Sequence, residues 1–102
     1  MREIYSIDEI SKTIHHFIQE HYHSIHKVIL FGSYSRGEAT SKSDIDLFIC
    51  DSPEFVGMKT FAFGNDLKDT LGKDVDIFIE NNVPKDSALY QSIMENGVII
   101  YE

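Results

Sequence analysis

Asp44 and Asp46 stand two residues apart in the string Asp44-Ile45-Asp46-Leu47-Phe48-Ile49-Cys50. On a β-strand, residues i and i+2 leave the same face, so two carboxylates at this spacing converge on one point. Further along, Asp74-Val75-Asp76-Ile77-Phe78-Ile79 repeats the pattern almost letter for letter, DVDIFI against DIDLFI. If the two strands pair, three or four carboxylates crowd one end of a sheet. Like charges at such range disfavour each other's ionisation, and a divalent cation relieves them. Mg²⁺ takes few carboxylates, several waters and substrate phosphates, so the set fits an Mg–NTP site better than a closed protein cage.

Upstream, the apolar run Val28-Ile29-Leu30-Phe31 is stopped by Gly32-Ser33. Gly32 permits a sharp turn without a Cβ, and Ser33 is placed to cap a short helix whose free N–H groups and positive dipole end attract phosphate. No Gly-Lys-Ser/Thr follows, so this is not a Walker loop, and Gly-x-Gly-x-x-Gly is absent. Arg36 either meets triphosphate charge or is solvated at a loop. Taken singly, Gly-Ser is an ordinary strand-ending turn and Asp-x-Asp the wet face of a half-exposed sheet. Together they suggest in-line attack on an α-phosphorus, with two metal ions about 4 Å apart steadying the attacking oxygen and the leaving pyrophosphate. A third carboxylate would hold the metal near the acceptor hydroxyl and take up its proton. Strand alternation does not choose between Asp74 and Asp76 for that role.

The elements that must position these groups follow from period and punctuation. Ser6 and Glu9 form a capping box ahead of Ile7, Ile10, Ile14, Phe17 and Ile18 at helical spacing, predicting a helix from about Ile7 to Tyr22. Val28–Phe31 and Ile45–Cys50 read as strands. Ser52-Pro53 predicts a helix start, with the helix running to about Leu71 before Gly72; Gly57 and Gly64 mark either close packing or a break within it. Asp74–Glu80 reads as a strand, Lys85–Met94 as a short helix ending near Gly97, and Val98–Tyr101 as a terminal strand. Helices interleaved with strands give an α/β sandwich, with helices on one or both faces of the sheet.

A chain of 102 residues suits one domain spanning residues 1–102. No apolar run approaches the roughly 20 residues of a membrane helix, and Met1-Arg2-Glu3-Ile4 leads into a polar pattern rather than a signal-peptide core. With a single cysteine, Cys50, no internal disulfide forms, and the expected setting is cytoplasmic. A net charge of −8 argues against gripping a long nucleic acid and leaves a cationic small molecule or a protein as partner. Cys50, without an adjacent base, reads as a small buried hydrophobe. His15, His16, His21, His23 and His26 show no i, i+4 pair on the helix for a metal, and histidines near a helix C-terminus complement its dipole.

Gly32-Ser33, ten intervening residues and Asp44-x-Asp46 match the motif of the polymerase-beta-like nucleotidyltransferases. The fuller string GSYSRGEATSKSDIDL, the later GKDVDIF and the ending ENGVIIYE resemble the minimal nucleotidyltransferase branch of that superfamily, across nearly the whole chain. The resemblance implies the polymerase-beta-like α/β fold, a small mixed sheet flanked by helices, and two Mg²⁺ with ATP as the NTP substrate of a nucleotidyl transfer that releases pyrophosphate. It implies that Asp44 and Asp46 bind both metals and that Asp76 binds the catalytic metal and acts as base. Gly32, Ser33, Arg36 and Ser43 are the candidate nucleotide-binding residues. It further implies a partner, a HEPN-domain ribonuclease toxin silenced by AMP placed on a tyrosine. The rival expectations are a nucleotidyltransferase acting on a cationic small molecule such as an aminoglycoside, and an antitoxin that binds its toxin without catalysis.

Overall fold

A computed structural model describes residues 4–102; Met1, Arg2 and Glu3, and with them part of the reading of the N-terminus, lie outside the described residues. The order is α1 (Ile7–His21), β1 (Lys27–Phe31), β2 (Ile45–Cys50), α2 (Met58–Leu71), β3 (Val75–Ile79), a 3-10 turn (Glu80–Asn82), α3 (Ala88–Asn96) and β4 (Val98–Tyr101). No described helix is long and apolar enough to cross a membrane.

The capping box starts α1 as expected: the Glu9 N–H donates to Ser6 Oγ at 3.0 Å and the Ser6 N–H to Glu9 Oε1 at 2.9 Å. Ile10, Ile14 and Ile18 then form its buried stripe, the pattern that makes an amphipathic helix stable once it is packed. At its far end the Tyr22 hydroxyl donates to Asp66 Oδ2 on α2 at 2.5 Å, which holds the two helices side by side.

The strands form one mixed sheet in the order β3-β2-β1-β4, with β1 antiparallel to β2 and β4 and β2 parallel to β3. Alternation divides its side chains between two cores. Val28, Leu30, Ile45, Leu47 and Ile49 face α1 and α2. Ile29, Phe31, Phe48 and Cys50 face the other way, against Val83 and Ile93 of the α3 side. By the same parity Asp46 and Asp76 belong to the α3 face, at the end of the sheet where β2 and β3 begin.

Two helix starts differ from the sequence reading. α2 begins at Met58 and not at Ser52-Pro53. The Ser52 hydroxyl is spent on tertiary bonds instead of a cap: it donates to the Cys50 carbonyl and accepts from the His26 N–H, both at 2.8 Å. Phe55 is wholly buried between these points, and Gly57 at φ 66 turns the chain into the helix. α3 begins at Ala88 and not near Lys85, because the capping hydroxyl is that of Ser87, which accepts from the Tyr90 N–H at 3.1 Å. Gly64 lies within α2, where it marks close packing on β3: a Cβ there would sit 3.4 Å from Ile77 Cγ1.

Candidate active site

Gly32 ends β1 with φ 77, and its reason for being glycine is Asp46. A Cβ at this position would lie 2.3 Å from Asp46 Oδ2, well inside van der Waals contact, so the bare backbone is what lets the carboxylate come in beside the turn. The residues that follow form consecutive turns and no helix is assigned to them, unlike the short capped helix expected after Ser33. The Gly32 carbonyl accepts from the N–H of Ser35 at 3.2 Å and of Arg36 at 3.3 Å, and from Ser35 Oγ at 2.9 Å. Ser33 and Tyr34 are the central residues of the turn closed by Ser35 on Gly32, and their amides have no partner within it, which is what a phosphate cradle requires.

Asp46 and Asp76 are register partners across the parallel β2–β3 ladder, so their carboxylates leave one face side by side. Asp46 is half-buried while Asp44 and Asp76 are exposed. Burial pushes the Asp46 carboxyl up from 3.8 to about 6; the charge of Asp76, a hydrogen bond shared with it and the charge of Asp44 push the same way, and Arg36 pulls back. The alternation that left Asp74 and Asp76 equivalent is resolved by side-chain direction. Asp74 turns to α2, where Lys68 Nζ meets its Oδ1 at 2.9 Å, while Asp76 stays beside Asp46. Arg36 is partly exposed and paired with Glu38 through its Nε at 2.9 Å, near enough for its charge to reach Asp46.

The loop that delivers Asp44 is tied down twice. Within it, Ser43 Oγ accepts from the Thr40 N–H at 2.8 Å and the Ser43 N–H donates to the Thr40 carbonyl at 3.0 Å. Ser43, a candidate nucleotide contact, thus uses one lone pair in the loop, and its Oγ also lies 3.5 Å from Thr40 Oγ1, where either hydroxyl can donate. From outside, the buried Lys73 donates through Nζ to the Ser41 carbonyl at 2.8 Å, and the Ile45 N–H donates to the Asp74 carbonyl at 3.0 Å. Lys73 was missed by sequence reasoning. Its only signal is its place directly before the second Asp-x-Asp, and a single lysine in an acidic chain reads as surface. Replacing Lys73 with Met leaves the Ser41 carbonyl without its charged donor, and urea unfolding is expected to show a loss of about 1.5–3 kcal/mol; an unchanged midpoint would mean that the bond is not formed in solution.

Residues set aside in the sequence are used elsewhere. His15 Nε2 lies 2.9 Å from the Ile100 carbonyl, with its ring edge-on to Tyr101. His23 Nε2 lies 2.7 Å from the Gln19 carbonyl, just past the end of α1. Cys50 is buried, and burial pushes its thiol up to about 11, the behaviour of a small hydrophobe and not of a nucleophile.

The donor set fits Mg²⁺. It consists of hard carboxylate oxygens, of which that of Asp46 is held against its ionisation by burial and then by its neighbours, and a cradle that a Cβ would fill lies against it. Among the described residues no three His, Cys, Asp or Glu side chains are gathered into a ready-made metal cluster. The carboxylates would therefore supply part of a coordination sphere, and water and substrate phosphates the rest, as Mg²⁺ prefers.

Known proteins share this fold. The family model described as polymerase beta, nucleotidyltransferase matches residues 12–102. A protein of Methanocaldococcus jannaschii, provisionally named protein adenylyltransferase MJ0128, is 31% identical over 102 residues, covering 98% of this chain and all of the relative. Among solved structures, a toxin–antitoxin complex with AMP-PNP contains a chain that superposes with a TM-score of 0.73 at 22% identity, over 89% of this chain and 72% of the other. A second match is a complex of a tri-AMPylated Shewanella oneidensis HEPN toxin with its MNT antitoxin, with a TM-score of 0.64 at 19% identity over 93% of this chain and 71% of the other. These likenesses carry the fold, a mixed sheet with helices on both faces. With the turn at Gly32, the paired strands that carry Asp46 and Asp76, and the family match over most of its length, the chain belongs to the polymerase beta nucleotidyltransferase family and is a nucleotidyltransferase.

Proposed function

We propose that this nucleotidyltransferase is an antitoxin that moves AMP from ATP to a tyrosine of a HEPN ribonuclease toxin, in the cytoplasm. The observation that carries the reading is the half-buried Asp46, set between the Gly32 turn and Asp76. It is a phosphate cradle and an acid-bearing site on adjacent strands. The solved complex of an AMPylated HEPN toxin with an antitoxin of the same fold supports the choice of acceptor, as does the relative named as a protein adenylyltransferase.

In this reading the amides of the Gly32–Gly37 turn, the Ser33 and Ser43 hydroxyls and Arg36 orient the triphosphate. Asp44, Asp46 and Asp76 would hold Mg²⁺, which when bound neutralises the carboxylates and the phosphate charge. The tyrosine oxygen forms a bond to the α-phosphorus as the bond from that phosphorus to the bridging β-oxygen breaks and pyrophosphate departs. The phenolic proton passes to Asp76, the exposed carboxylate beside Asp46. A phenol, with a pKa of about 10, yields its proton far more readily than an aliphatic alcohol. The product carries a phosphodiester charge and a bulky adenosine, which would block an RNA-binding groove.

The test is mass spectrometry of a HEPN-domain toxin co-expressed with this chain. The expected result is a toxin heavier by one or more AMP units on tyrosine with the wild type, and unmodified with Asp44→Ala, Asp46→Ala or Asp76→Ala. A toxin that stays unmodified yet is silenced equally by wild type and variants would replace transfer with simple occlusion.

A further inference from the structure

We infer that the free edge of β3 and the cleft beside it receive an extended, tyrosine-bearing segment of the protein acceptor; the inference rests on the proposed transfer and adds where the second substrate enters. β3 is an outer strand of the sheet, and among the described residues its only strand partner is β2. Because the Ile45 N–H donates to the Asp74 carbonyl, the even-numbered residues of this stretch turn their backbone groups to β2. Those of Val75 and Ile77 therefore face outward, since N–H and C=O alternate in direction along a strand. A cleft of about 500 Å³ runs along this edge between β3 and α2, and Asp44 and Asp76 both line it. Its far wall is α2. There Gly64 contributes no side chain, and Phe61 is 68% exposed at a position where an apolar partner would cover it.

The order of parts across the sheet end assigns the occupant. The turn at Gly32 belongs to β1, Asp46 to β2 and Asp76 to β3, and the cleft lies beyond β3. In-line displacement places the attacking and leaving oxygens on opposite sides of the phosphorus. With the triphosphate cradled on the β1 side, the acceptor must approach from the β3 side, where the cleft is. The cleft walls carry Asp44, Asp74 and Asp76 with Lys68, which is paired to Asp74, so the lining keeps a net negative charge, a poor surface for a second polyanion and an acceptable one for a neutral phenol. An added strand would lie about 4.8 Å from β3, and a tyrosine on its carboxylate face would stand beside Asp76. Strand addition uses backbone bonds for affinity and side-chain pockets for choice, so Phe61 and Asn65 would select the residues flanking that tyrosine.

The experiment uses the complex with a HEPN-domain toxin that this chain binds and two readouts, amide exchange and AMP transfer, with Phe61→Arg on the cleft and Met58→Arg as control. Met58 is on the same helix, 82% exposed and outside the cleft. Complex formation is expected to slow exchange at Val75 and Ile77. Phe61→Arg should lower transfer about tenfold or more, equivalent to about 1.4 kcal/mol, with ATP binding unchanged, and Met58→Arg should do neither. A stable complex with no slowing at these amides, or full transfer by Phe61→Arg, overturns the inference. Loss of ATP binding in Phe61→Arg also overturns it, by giving the cleft to the nucleotide. Slowed exchange with no AMP transferred by wild type would refute the transfer reading and leave the docking edge standing.

Discussion

Asp46→Asn is expected to stabilise the metal-free protein while abolishing nucleotidyl transfer. The carboxyl titrates near 6 in the fold against an ordinary 3.8, chiefly because it is buried and then because Asp76 and Asp44 crowd it. A raised carboxylate pKa means that the folded state prefers the protonated form. Its favourable contribution is complete below about pH 4 and is lost as pH rises through about 6. At neutral pH the ionised group therefore costs stability, and asparagine, which keeps the shape and can donate to Asp76, removes that cost. At face value two pKa units are worth about 3 kcal/mol; because the group is only half-buried, solvent screening reduces this to about 1 kcal/mol, or roughly 4–8 °C in a domain of this size. Thermal unfolding in chelator should show the variant above wild type at about pH 8, with the gap closing toward about pH 4–5. Adding Mg²⁺ and ATP should then raise the wild type more than the variant, since binding to the folded state alone stabilises it. Transfer should fall by about a thousandfold or more, the scale of losing a principal electrostatic group. A variant no more stable than wild type at about pH 8 in chelator would show that neither burial nor the neighbouring carboxylates hold Asp46 against its ionisation.

The same residues explain how far the sequence could be read. The Asp-x-Asp strands, the capping box at Ser6 and the Gly32 stop are local signals, each fixed by neighbours within a few residues, and the structure places them as the spacing predicts. The start of α2 was misread because Ser52 is a good cap by type, and nothing local reveals that His26 and Cys50 claim its hydroxyl. The separation of Asp74 from Asp76 likewise depends on Lys68, a helix away. Lys73 was missed for a related reason: its partner is the Ser41 carbonyl, 32 residues distant in the chain. What escaped was set by long-range side-chain partners, which no local pattern reveals.

Gly32→Ala should be nearly as damaging to transfer as loss of Asp46, and Gly37→Ala shows why. Both glycines have positive φ, 77 at Gly32 and 72 at Gly37, so alanine at either meets the same left-handed backbone penalty, about 1–2 kcal/mol. Their surroundings differ. A Cβ at position 37 finds nothing within 4 Å, whereas one at position 32 lands 2.3 Å from Asp46 Oδ2. The strain at Gly32 can be relieved only by moving the turn or by rotating the Asp46 carboxylate away, and either separates the phosphate cradle from the acid it abuts. A displacement of about 1 Å in a positioned group costs about a hundredfold in rate. Gly32→Ala is therefore expected to lose about a hundredfold or more in kcat, while Gly37→Ala, destabilised to a similar degree by its backbone, keeps transfer within a few-fold of wild type. Thermal unfolding and single-turnover AMP transfer, measured on both variants, separate strain from site geometry. Equal loss of transfer in the two would mean that turn flexibility, and not the close approach of Gly32 to Asp46, is what the reaction requires.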